Sequence, residues 1–197
     1  MKEIFLSKTI NYITKYNKNY NTDEIERIQY GLEGLYLTIT KLIIVLIISL
    51  ILGIFKETIL TLLFFNIIRF PAFGVHAEKS CSCLLISICI IIGLTFIISK
   101  TTIPFNLKTI ICILSIFNYC LFAPADTIKR PLTNKRKRII RKICSVLIAI
   151  TYTGLILAIK NDLSNIILNA LIIEGLMINP AMYKLLNTPY NNYKKFV

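Results

Sequence analysis

Tryptophan is absent from this sequence, histidine occurs once, and Asp and Glu together number 10 against 23 Lys and Arg, a formal net charge of +13. With one histidine there is no second Cys/His cluster to complete a zinc shell. That speaks against a structural metal, even though Glu78, Cys81 and Cys83 lie close to His76. No residue pattern calls for a cofactor. No cleavable signal is expected, because the first thirty residues are polar and charged and lack a short apolar core. There is no internal repeat. The basic excess does not point to nucleic acid: the cations gather between apolar runs and are not spread over amphipathic helices or interleaved with aromatics. That placement reads as membrane topology and contact with anionic lipid or an acidic substrate.

What is abundant is hydrocarbon. Hydrophobic residues make up 55% of the chain and the mean hydropathy is +0.68, which no ordinary soluble domain matches. The expected fold is all-α, a polytopic membrane helical bundle of about six transmembrane helices preceded by N-terminal amphipathic interfacial helices. Residues 1–34 carry Ile4, Phe5, Ile10, Ile13 and Tyr16 at near-helical spacing, with Thr22-Asp-Glu as a candidate cap, and are expected to form either amphipathic cytoplasmic-face helices or a plain helix packed against the bundle. Residues 35–197 form the integral membrane domain. Its spans are expected at 35–55, 58–70, 83–99, 107–123, 143–159 and 163–180, the second being short. Between the fourth and fifth lies the most basic stretch, Lys129 to Lys142, with eight Lys or Arg residues. The positive-inside rule sets that stretch in the cytoplasm. The third span then runs outward, and the segment that begins it starts at the cytoplasmic face, with both chain ends inside.

That segment, Arg69-Phe-Pro-Ala-Phe-Gly-Val-His-Ala-Glu-Lys-Ser-Cys-Ser-Cys83, holds the candidate chemistry. A neutral imidazole can take a thiol's proton, and the thiolate is a strong nucleophile at neutral pH. Cys81 and Cys83 follow His76 by five and seven residues. Seven residues is close to two helical turns and returns to the same face, so Cys83 is the better partner. The rise over two turns is about 10.5 Å, too long for a hydrogen bond within one unbroken helix. A break is therefore expected between them and α-helix upstream, with Gly74 and Pro71 as its causes. Arg69 either holds an acidic group of a substrate, orients the loop, or snorkels to lipid phosphate. The later segment Ala123-Pro-Ala-Asp-Thr-Ile-Lys-Arg-Pro131 leaves the fourth span on the same side. Its Lys129 and Arg130 either project charge toward the site or only enforce orientation. Asp126 either orients His76 as a third member or caps the loop.

Gly-Val-His-Ala, the cysteine at the seventh position after the histidine, Arg69 upstream and the Ala123–Pro131 segment together resemble the AgrB family, the membrane endopeptidases of peptide quorum sensing. The likeness extends over nearly the whole chain in length, hydrophobic layout and both motifs. It implies that His76 and Cys83 are the catalytic pair, that the substrate is an AgrD-type propeptide with an acidic C-terminal part, and that the protein is a homodimer in the bacterial cell membrane. The product would be a cyclic thiolactone or lactone. Backbone N–H groups near Gly74 or at the start of the third span are the expected oxyanion donors.

Charged and polar groups inside spans are the remaining suspects. Lys41 and Glu174 lie at similar expected depths and either form a structural ion pair or contact substrate. Cys89, Cys112, Cys120 and Cys144 lie in or beside apolar spans and read as small hydrophobes. The rival to a peptidase is a non-enzymatic membrane peptide transporter or scaffold, with Asn118, Asn169, Lys41 and Glu174 lining a path.

Overall fold

A computed structural model describes residues 2–16, 20–75, 80–127 and 131–195, with side chains left out at Lys2 and at 80–83. Among them every extended element is helical and there is no strand. The chain divides into two compact units, residues 1–47 and 48–197.

In the first unit, α1 (Lys2–Tyr16) meets α2 (Thr22–Ile51) through the rings of Phe5 and Tyr36, 5.4 Å apart. Asn21 starts α2: its Oδ1 accepts from the Thr22 N–H, and Glu24 Oε2 accepts from the Asn21 N–H, a reciprocal cap. The helix then runs unbroken for 30 residues. The expected boundary near residue 34 is therefore replaced by one continuous helix. No proline interrupts 22–51, and Gly31 and Gly34 only lower helix propensity without forcing a break.

The second unit is built around α8 (Asp162–Ile178), which is buried on nearly every side by α3 (Phe55–Ala72), α5 (Gly93–Lys100), α6 (Phe105–Phe122) and α7 (Lys135–Ala158). Leu168, Ala170, Leu171 and Ile173 on this helix have no exposed surface. Polar groups tie its neighbours to it. Tyr119 donates to the Leu171 carbonyl at 3.1 Å, and Asn118 donates to that of Gly175 at 2.7 Å. A Cβ at Gly175 would meet the Asn118 amide at 3.2 Å, so a side chain there would push that amide back from the Gly175 carbonyl. Asn118 thus serves helix packing. Outward-facing positions are apolar, such as Ile110, Leu114, Phe117 and Leu121 on α6 and Ile140, Ile143 and Leu147 on α7.

Among the described residues three helices are long and apolar enough to cross a membrane: α2, α6 and α7. The expected second span becomes α3, whose 18 residues include Lys56, Glu57 and Arg69. The expected third span becomes α4 (Ser80–Ser87), a π turn over Ile88–Ile92, and α5. The fifth begins eight residues before expectation, because Asn134 caps α7 through its Oδ1 and the Lys137 N–H, drawing the basic stretch into the helix. After α8, Asn179 caps the short α9 (Pro180–Leu185), and a 3-10 turn covers Asn192–Lys195.

Candidate active site

The last turn of α3 contains Pro71, and the helix ends only at Ala72. The break lies after the proline, at Phe73 and Gly74, whose φ angles are +62° and +120°. An L side chain rarely adopts such angles, and two in succession turn the chain out of the helix axis. From there Phe73–Val75 run as a short strap held on three sides. The Gly74 N–H donates to the Ala125 carbonyl, the Ala125 N–H to the Ala72 carbonyl, and the Val75 N–H to the Met177 carbonyl, each at 2.9 Å. The two sequence motifs are thereby joined directly, through the parallel bridge of Phe73 with Ala125.

Arg69 sits beneath this strap. Its Nη1 donates to Glu174 Oε2 at 2.9 Å, its Nη2 to the Val75 carbonyl at 3.2 Å, and its guanidinium stacks over the Phe65 ring. Glu174 is fully buried and Arg69 is 17% exposed. A charge buried at that depth is costly unless paired. The carboxylate that depth alone matched with Lys41 is taken by Arg69, and the guanidinium that was assigned to substrate, loop or lipid reaches the backbone one residue before His76. From α7, Arg141 donates to the Phe70 carbonyl at 2.8 Å and lies over the Phe73 ring at 4.2 Å.

Gly74 is irreplaceable for two reasons. Its φ disfavours a side chain, and a Cβ would come within 3.1 Å of Arg69 Nη1 and 3.2 Å of both Met177 Cβ and the Met177 carbonyl oxygen. Gly74→Ala is expected to destabilise the strap by about 2–4 kcal/mol, read as a large fall in membrane level or thermal midpoint. The Gly74 and Val75 N–H groups are already engaged, so neither is free to serve as an oxyanion donor.

Asp126 is 2% exposed and holds the C-terminal segment. Its Oδ1 accepts from the Asn192 N–H at 2.8 Å, and its Oδ2 from the N–H groups of Tyr193 at 2.7 Å and Leu132 at 3.3 Å. These bonds are those of a cap. Tyr183, 1% exposed, donates to the carbonyls of Ala125 and Asp126 at 3.1 and 3.0 Å. Burial, and then the neighbouring Asp126 carboxylate, push its phenol well above the usual tyrosine range, so it stays a neutral donor. Tyr183→Phe is expected to cost about 1–2 kcal/mol, as both carbonyls lose a buried donor. A thermal midpoint lowered by less than a degree would contradict this role.

His76, Lys129 and Arg130 lie outside the described residues. Cys83 is the fourth residue of α4. Cys89, Cys112, Cys120 and Cys144 are free thiols. Among the described residues, no three His, Cys, Asp or Glu side chains cluster in a way that would hold a metal. Glu174, Tyr183, Met177 and Asn192 were not singled out as site supports in the motifs. Only the charge at Glu174, deep in an apolar run, marked any of them in advance.

The family profile described as Accessory gene regulator B matches residues 6–178. An AgrB-like protein of Listeria innocua is 34% identical over 177 residues, 86% of this chain and 84% of that one. An AgrB-like protein of Clostridium acetobutylicum is 32% identical over 187 residues, covering 92% and 88%. Accessory gene regulator protein B of Staphylococcus aureus is 31% identical over 182 residues, covering 91% and 95%. No solved structure matches the chain.

Proposed function

The chain belongs to the AgrB family, and from that membership we propose that it is a membrane-embedded cysteine endopeptidase acting on an AgrD-type propeptide. Its role lies in the accessory gene regulator system of quorum sensing. The observation that carries the chemical reading is the strap. Val75 is fixed by Met177 and Arg69, so the residue that follows, His76, leaves a rigid anchor, and α4 opens four residues later with Cys83 in its first turn.

In this reading His76 takes the proton of the Cys83 thiol, and the thiolate attacks the carbonyl carbon of the scissile peptide bond. The tetrahedral oxyanion collapses, His76 returns the proton to the leaving amine, and the acidic C-terminal part departs. The remaining acyl-enzyme is a thioester. An internal thiol or hydroxyl of the propeptide attacks it, frees Cys83 and closes a thiolactone or lactone. Because the N–H groups of Gly74 and Val75 are spent, the oxyanion donors fall to the N–H groups of the first turn of α4, which have no partner within the helix. Exclusion of water by the surrounding helices favours cyclisation over hydrolysis. Arg69 acts by orienting the strap and Asp126 by anchoring the backbone a few residues before Lys129 and Arg130, and the role of those two positive charges is to attract the acidic part of the substrate.

The wider arrangement proposed with it is six spans in the cell membrane, N-terminal amphipathic helices and the catalytic site at the cytoplasmic face, in a homodimer. The test is capture of the intermediate. With a propeptide whose internal nucleophile is replaced by alanine, the wild-type enzyme should accumulate a hydroxylamine-labile adduct on the peptide containing Cys83, found by mass spectrometry. An adduct on Cys81, or none while cleavage proceeds, would sink the mechanism as written.

A further inference from the structure

At the opposite end of α3, α5 and α8 from Arg69 and Glu174 lies a cavity of about 100 Å³ whose lining includes Glu57, Thr61, Thr95, Asp162, Asn165 and Asn169. Asp162, Asn165 and Asn169 are spaced three and four apart on α8 and so share one face. Asn169 is 1% exposed. Its Nδ2 donates to Thr95 Oγ1 at 2.8 Å and to Thr61 Oγ1 at 3.3 Å, while its Oδ1 is buried and has no partner. The Asn165 Oδ1 is also buried without a partner. A buried carbonyl left unpaired is costly, and two on one helix face, both lining the same cavity, call for something that offers positive charge or protons.

We propose that this cavity is a binding site for a small monovalent cation of sodium's size. The donors are hard oxygens: two amide carbonyls, the Thr61 and Thr95 hydroxyls and the Glu57 carboxylate, and hard oxygen sets select hard cations over soft ones. Glu57 is half-buried and Asp162 is exposed at the rim, so the interior supplies one negative charge to balance one positive charge. A calcium site normally gathers several carboxylates, and no group of three acidic or other metal-ligating side chains exists among the described residues. Bound there, the ion would cross-link α3, α5 and α8. Glu57 stands twelve residues, about 18 Å along α3, from Arg69. The site is therefore separate from the peptidase chemistry and does not depend on it.

The experiment is direct binding of radioactive sodium to the purified full-length protein in detergent, with thermal midpoints taken as sodium chloride replaces choline chloride at constant ionic strength. Wild type should bind saturably and gain about 3–6 °C at a tenfold excess over Kd. Glu57→Gln, which removes the charge without removing any hydrogen bond of the Asn169 cluster, should weaken binding at least about tenfold, since one compensating charge is lost. Asn169→Leu should abolish it. Should Asn169→Leu fail to fold, Glu57→Gln alone decides. No saturable sodium binding, or binding and stabilisation unchanged by Glu57→Gln, would show a cavity filled by water or a sodium effect elsewhere, and overturns the proposal.

Discussion

Cys83→Ala and His76→Ala should each lower cleavage of a co-expressed, tagged propeptide by at least about a thousandfold, while Cys81→Ala should cleave close to the wild-type rate. A thiol near its reference pKa of about 8.5 is only a few per cent ionised at neutral pH. Loss of the imidazole therefore removes both the activated nucleophile and the acid that protonates the leaving amine. Loss of Cys83 removes the acyl acceptor itself. Cys81 is two residues away on the same helix, and a two-residue step turns the side chain by about 200°, so it cannot substitute without reorienting α4. Membrane levels of every variant set the baseline. Persistent cleavage by Cys83→Ala would mean that Cys81 is the nucleophile or that no thiol is, and the double cysteine variant separates the two. A membrane transporter would keep most of its function in Cys83→Ser, whereas a cysteine peptidase would not.

Breaking the Arg69–Glu174 pair should come second in size. Removing Arg69 leaves the fully buried Glu174 carboxyl without its partner, and removing Glu174 leaves the mostly buried Arg69 guanidinium without its own, each at a cost of about 3–5 kcal/mol. Arg69→Met and Glu174→Ala should each reduce processing by about a hundredfold or more, with a lower membrane level for Glu174→Ala. The double variant Arg69→Met with Glu174→Met separates stability from positioning. Replacing both charges with apolar groups of similar size should restore the level, yet processing should stay low, since nothing then holds the Val75 carbonyl. Arg69→Lys should be impaired too, because one ammonium does not reproduce the planar fork that contacts Glu174 and Val75 together. An Arg69→Met variant that processes normally would dismiss the strap as a catalytic support.

Much of this architecture is legible in the residues. Apolar run length and composition mark helices, and the Asn161 cap starts α8 close to where charge gives way to hydrocarbon, whereas Asn134 starts α7 ahead of its basic residues. Gly74 marks a break because only glycine adopts its backbone angles readily. The continuous α2 was less legible. Near residue 34 the composition changes from charged to apolar, yet helical hydrogen bonding does not depend on which solvent a helix meets.

By itself the sequence determined the class of the molecule, an all-helical chain with runs long and apolar enough to cross a membrane, and the order of its two motifs, because both depend on local composition and on neighbours within a few residues. Only the tertiary structure decided that Arg69 meets Glu174 across 105 residues, that Asp126 grips the backbone at Asn192 and Tyr193, and that the Gly74 N–H is spent on Ala125. The physical reason is the uniformity of the helices. In α8 nearly every side is apolar and nearly every side is buried, so no periodicity in the sequence tells which face turns to α3 and which to α6. Rotation and register are set by packing small residues and pairing the few polar groups, and those pairings exist only once the helices are side by side.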